Sequence, residues 1–183
     1  LEGYLLPETY RFRRPTPAEE IVRHMVEAFF GSLTEADRSK IEASSFSLHE
    51  IVTLASIVEK ETAVPDERRL IAAVFLNRLE KRMRLQTDPT VIYGILQTRG
   101  AFDGNLRRVD LTTDTPYNTY TRSGLPAGPI ANVGIDSIRA VLEPAKVDYL
   151  YFVSRNDGTH HFSSTLRQHN NAVIQYQKRR RAG

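Results

Sequence analysis

Two carboxylates are set into the apolar face of a helix-like run, Leu54-Ala55-Ser56-Ile57-Val58-Glu59-Lys60-Glu61-Thr62. A carboxyl group held in apolar surroundings keeps its proton toward neutral pH, because burial penalises the charged form. A carboxylic acid still protonated near pH 7 can protonate a leaving group. At about 100° per residue, Glu59 and Glu61 diverge by about 200° on a helix. Glu61 then aligns with Leu54, Ile57 and Val58, and Glu59 with Leu48, Val52 and Ala55. Both fall inside the apolar band, and periodicity does not choose between them. The competing structural explanation pairs each Glu with Arg68, Arg69 or Arg78. Unpaired burial costs several kcal/mol, so two Glu in one apolar band point toward function.

Other chemistries find little support. The five histidines are His24, His49, His160, His161 and His169. His160 and His161 would face opposite sides of a strand, which is poor for joint ligation. There is no His-Glu-x-x-His, no clustered acid trio, no glycine-rich phosphate loop and no Gly-x-Ser-x-Gly elbow, and cysteine is absent. No metal and no cofactor are expected. The polar groups that could serve a carboxylate acid are Gln86, Asp88, Thr90, Tyr117, Asn118 and Tyr120. Tyrosine rings stack on sugar faces, and Gly124 and Gly128 let a backbone approach a ligand closely. The bland alternative is a turn-rich loop whose Asn and Tyr side chains staple its own backbone.

These residues need a scaffold, and 183 residues suffice for one well-packed domain. Thr16 and Pro17 open a helix over 17–30, closed by Gly31. Thr34 caps a short polar helix to about residue 43. Ser47 with Glu50 forms a capping box for a helix over 48–62, with His49, Glu50, Thr53, Ser56 and Lys60 on its polar side. A further helix follows over 66–82, and a short one over 89–96. Residues 83–134 are otherwise rich in Gly, Pro, Asn, Asp and Thr, and long loops of this kind are usually functional. A helix over 135–142 ends before Pro144. Residues 149–154 are strand formers, Asn156-Asp157-Gly158 marks a turn, and 159–163 return. A last helix spans 164–179. The expected class is α+β.

Composition narrows the partners. Hydrophobic residues make up 40% and charged residues 26%, ordinary for a soluble globular fold. Net charge is +3, and Lys178-Arg179-Arg180-Arg181 supplies four positives. Without that tail the body is nearly neutral, which argues against nucleic acid as a partner. No run approaches the ~18 apolar residues of a membrane span. The chain begins at Leu1 rather than Met, as expected of a fragment or processed form.

The motifs together resemble the YceG-like family, the endolytic murein transglycosylases. The pieces occur in order: Glu2-Gly3-Tyr4-Leu5-Leu6-Pro7-Glu8-Thr9-Tyr10, then Ala55 to Glu61, Val74-Phe75-Leu76-Asn77-Arg78-Leu79, and Met83 to Gly94. Pro116-Tyr117-Asn118-Thr119-Tyr120, Gly124-Leu125-Pro126, Gly128-Pro129-Ile130, Tyr149 to Val153, and His161-Phe162 to His169-Asn170 follow. They cover nearly the whole chain, and the block over 85–94 is the most specific.

The resemblance implies that Glu61, the second Glu of Glu-Lys-Glu, is catalytic, with Glu59 a supporting residue. It implies cleavage of the bond between N-acetylmuramic acid and N-acetylglucosamine without water, leaving 1,6-anhydro ends. Gln86, Asp88, Thr90, Tyr117, Asn118, Tyr120 and Gly128 would line the glycan groove. It further implies one catalytic domain over 1–183, locally lysozyme-like around the Glu. An N-terminal anchor in the cytoplasmic membrane and a LysM-like part would precede that domain, which would lie on the periplasmic side. Peptidoglycan strands are the expected partner, with cell-wall synthases as further candidates. A hydrolase using Asp88 or Glu59 as base, and a non-catalytic glycan-binding module, are the competing readings.

Overall fold

The computed structural model describes residues 1–178, so three of the four tail cations lie outside the described residues. The elements are α1 (Ala18–Ser32), α2 (Glu35–Ala43), α3 (Leu48–Glu61), α4 (Arg68–Glu80), α5 (Asp88–Arg99), α6 (Arg108–Thr112) and α7 (Ile135–Leu142). The hairpin β1 (Tyr151–Ser154) and β2 (His160–Ser163) follows, then α8 (Leu166–Val173). This is the α+β class expected from the sequence.

α3 is the central element because nearly its whole surface is apolar. Every residue from Ile51 through Val58 is buried. It packs on α4, α5 and α7, and its core joins Phe29, Ile71, Phe75, Leu85 and Ile138. Each large apolar side chain so buried contributes about 1.5–3 kcal/mol. Thr53 and Ser56 are buried rather than on a solvated face. Their hydroxyls donate to the carbonyls of His49 and Thr53, 2.7 Å each, and Ser56 Oγ accepts from Ile130 N at 3.0 Å. That last bond ties the 128–130 loop to α3.

Local signals set the helix starts. Ser47 and Glu50 form the capping box of α3, and Thr34 and Asp37 form that of α2. α1 runs past Gly31 to Ser32, and the expected helix over 66–82 begins as a single 3-10 turn at Pro65–Glu67. α5 starts at Asp88 and extends to Arg99, where Gly100 ends it at φ +74°. α6 lies inside the stretch that gave few periodic signals. The last helix changes at Ile174 into one wide π turn.

The hairpin pairs Tyr151 with Ser163 and Ser154 with His160. Asn156 and Gly158 take positive φ in its turn, as their residue types favour. β1 packs on α4, and α8 covers both strands. Arg78 of α4 fixes this layer: its guanidinium donates to Leu150 O at 2.7 Å and Leu85 O at 2.6 Å. One buried side chain thus joins the hairpin to the loop preceding α5.

Candidate active site

Glu61 is the last residue of α3, and its side chain enters a cleft of about 390 Å³. One side comes from Gln86, Thr87, Asp88 and Tyr120. The other comes from α4, β1 and α8, through Phe75, Arg78, Tyr151, Phe152, Leu166 and His169. The Glu61 residue keeps partial exposure, while its carboxyl group is deeply buried. Burial is the largest cause of a pKa raised above the ordinary carboxylate value. A hydrogen bond from Thr87 Oγ1 opposes that rise, Asp88 adds to it, and His160 and Arg78 pull it back. The C-terminal end of α3 carries the negative pole of the helix dipole, which also disfavours an ionised Glu61. No Arg or Lys forms an ion pair with Glu61 among the described residues. Other carboxyls that depart from their ordinary values all go down: Asp37, Glu50, Asp103, Asp114, Glu143 and Asp157.

Glu59 points elsewhere. Its carboxylate accepts from Ser137 Oγ at 2.5 Å and Gly134 N at 3.3 Å. It therefore caps the first turn of α7, supplying from α3 the acceptor that Gly134 lacks. Its supporting role is to the α3–α7 packing and not to the cleft.

The expected groove residues divide three ways. Gln86, Asp88 and Tyr120 lie in the cleft with Glu61. Gln86 sits at φ +50°, a strained conformation for a non-glycine residue, and its N–H donates to Thr119 O at 3.2 Å. Asp88 opens α5 and accepts from Tyr120 Oη at 2.7 Å. Burial, then this bond, pushes the Tyr120 phenol up, so it stays a neutral donor.

Thr90 and Asn118 do not line the groove. Thr90 is fully buried and spends its hydroxyl on Thr87 O and Thr119 Oγ1. Asn118 is 1% exposed; its amide donates to the carbonyls of Asp110, Leu111 and Thr113, while its oxygen accepts from Tyr120 N. A side chain with every polar atom used inside its own loop has none left for a ligand. Asn118 instead sets where Tyr120 stands.

Tyr117 and Gly128 also fall outside the cleft. Tyr117 packs edge-on to Tyr93 at 4.7 Å, and Gly128 lies beside the Tyr117 hydroxyl and the ring of His49 at the start of α3. Helical rise puts that position roughly 18 Å from Glu61. A groove of about 830 Å³ near there contains Glu50, but that carboxylate is committed to capping Ser47.

The YceG-like family matches residues 1–175. The chain belongs to the YceG-like family. A Bacillus subtilis relative named endolytic murein transglycosylase is 44% identical over 177 residues, covering 96% of this chain and 48% of that protein. A Streptococcus pneumoniae relative of the same name is 33% identical over 182 residues, covering 96% of this chain and 32% of its own length. The crystal structure of a YceG-like protein from Listeria monocytogenes superposes with a TM-score of 0.84 at 44% identity, over 93% of this chain and 54% of that one. The chain thus spans about half the length of the Bacillus relative and about a third of the Streptococcus one.

Reading the sequence missed several cleft residues of this YceG-like chain. Thr87 lies within the piece over 83–94 without standing out from it, and Arg78 figures as a pairing partner for a helix Glu and within the piece over 74–79, not as a cleft residue. Tyr151, Phe152, Leu166 and His169 reach the cleft from the hairpin and α8, far along the chain; they fall inside the family-like pieces over 149–153 and 161–170, but nothing in those pieces assigns them to the Glu61 cleft. No group of three or more His, Cys, Asp or Glu suited to a metal occurs among the described residues.

Proposed function

We propose that this chain carries the catalytic site of an endolytic peptidoglycan lytic transglycosylase, with Glu61 as acid and then base. The observation that carries the reading is a single buried carboxyl with a raised pKa in a polar and aromatic cleft. The names of the YceG-like relatives support the same activity.

Glu61, protonated, donates to the oxygen linking N-acetylmuramic acid to N-acetylglucosamine. The glycosidic bond breaks, and positive charge develops at the muramic anomeric carbon. The C6 hydroxyl of the same sugar attacks that carbon, and ionised Glu61 takes the hydroxyl proton. The product ends in a 1,6-anhydro ring, no water enters, and Glu61 regains its proton. Burial serves the first step by keeping Glu61 protonated, and Thr87 stabilises the carboxylate between the steps. Asp88, Tyr120 and Gln86 supply hydrogen-bonding groups to the glycan. Peptidoglycan strands are the substrate under this reading. Anchorage on the outer side of the cytoplasmic membrane and work beside cell-wall synthases belong to the same proposal.

One observation favours a second reading. Asp88 shares the cleft with Glu61, and a glycosidase uses a carboxyl pair. Glu59 is not available for that role, because it caps α7. The test is mass spectrometry of purified peptidoglycan incubated with this chain and with Glu61→Gln. The transglycosylase predicts internal fragments with anhydro ends that vanish in the variant. Reducing ends one water heavier indicate hydrolysis through Asp88. Binding without products from the wild type indicates a glycan-binding module.

A further inference from the structure

The α8 side of the cleft contains a group that none of the chemistry above uses. His169 stands one turn into α8 beside Leu166, and both face the Glu61 cleft. Its ring stacks on Tyr151 at 5.2 Å and 25°, and the Arg78 guanidinium lies 5.3 Å from the centroid of the same tyrosine. Arg78 is in turn locked by the Leu85 and Leu150 carbonyls. The imidazole is therefore held by a chain of fixed groups rather than by its own hydrogen bonds.

The two ring nitrogens differ. Nδ1 is buried and has no hydrogen-bond partner among the described residues. Nε2 has no protein partner among the described residues and is not among the buried, unpaired atoms, so it is the accessible nitrogen of a residue that lines the cleft. A buried N–H without an acceptor is costlier than a bare ring nitrogen, so the proton belongs on Nε2. Burial, then Arg78 and His161, hold the ring below its ordinary pKa and keep it neutral. The cleft thus receives one preset, uncharged N–H donor. Beside it Leu166 is 55% exposed, an apolar side chain left open at the rim of a polar site.

We infer that His169 is a substrate-contacting residue, its Nε2–H donating to an acetamido carbonyl of an N-acetylated sugar whose acetamido methyl rests on Leu166. This rests on the glycan-cleaving reading of the Glu61 cleft. An N-acetyl group matches both features: its carbonyl accepts one hydrogen bond and its methyl prefers apolar surface. A neutral donor also suits this ligand better than a cation, because it adds no charge beside Glu61 that would favour losing the acid's proton.

The test measures binding of purified, peptide-stripped glycan strands by calorimetry in the inactive Glu61→Gln background. Cleavage by the otherwise wild-type chain is assayed in parallel. His169→Phe keeps the stack on Tyr151 and removes the donor, and affinity should fall roughly 3- to 10-fold with an unchanged melting temperature. His169→Gln places an amide N–H near Nε2 and should recover most of the loss. In the active background the loss should appear mainly in KM. De-N-acetylated strands should bind the His169→Phe and parent chains equally. Undiminished binding of acetylated strands by His169→Phe, with normal cleavage by the wild type, overturns the role of His169 alone. Failure of the wild type to cleave or bind any strand overturns the underlying reading as well.

Discussion

Among the described residues, the hydroxyl of Thr87 is the one neutral group that hydrogen-bonds the Glu61 carboxyl, and removing it should move the pH profile in a defined direction. Thr87 is 3% exposed, its Oγ1 donates to Glu61 Oε1, and its backbone N–H is held separately by Thr119 Oγ1 at 3.1 Å. Thr87→Val keeps the β-branched shape and the backbone bond while deleting the donor. A hydrogen bond to a charged acceptor is worth about 1.5–3 kcal/mol. At about 1.4 kcal/mol per pKa unit, its loss raises the Glu61 pKa by roughly one to two units. The acid must be protonated at the start of each turnover, so activity falls as pH rises through that pKa. The alkaline limb of kcat/KM on soluble glycan strands should therefore shift up by about one unit or more in Thr87→Val. Thr87→Ser should restore it. The assay is a pH series with chromatographic product counting, with melting temperatures taken alongside. A limb that stays in place or shifts down in a folded variant would refute Glu61 as the acid under Thr87 control.

Other perturbations separate the two helix carboxylates and the scaffold. Glu61→Gln removes an ionisation that burial opposes. The raised pKa means that ionised Glu61 costs stability as pH rises above the ordinary value of 4.5. The variant should match the wild type near pH 4 and gain on it toward neutral pH in thermal melts. Glu59→Ala removes the cap on α7 and should cost about 1–2 kcal/mol in denaturant unfolding, while glycan cleavage persists at low temperature. Asp37 closes the capping box of α2 and meets Arg139 of α7 at 3.1 Å, which with the Thr34 bonds lowers its pKa to about 2. A depressed carboxylate contributes stability that is present above 3.8 and is lost as pH falls through about 2. Asp37→Ala should therefore cost about 1–2 kcal/mol at neutral pH, with the gap to wild type closing across that acid window.

What was legible in the chain follows from the range of the interactions. The Thr34 cap, the Ser47 and Glu50 box, the hairpin turn at Asn156-Asp157-Gly158 and the α7 boundaries are local, and each stands where its residue types put it. The separation of Glu59 from Glu61 is not local. Both occupy equivalent places on the apolar band, and only the packing of α7 over one and of the 85–88 segment over the other distinguishes them. Asn118 shows a second limit: a loop amide reads the same whether it faces a ligand or its own carbonyls. Tyr151 and His169 show a third, since they meet the cleft only after the hairpin and α8 fold back onto α4.

The most direct test of the central claim is cleavage of purified glycan strands in water labelled with the heavy oxygen isotope, with the new ends read by mass spectrometry. If the C6 hydroxyl is the nucleophile and Glu61 its acid and base, every new end is an anhydro sugar and no label is incorporated. Label at the new muramic ends would contradict the account, because it would show that water attacks and that a second carboxylate, Asp88 first, directs it.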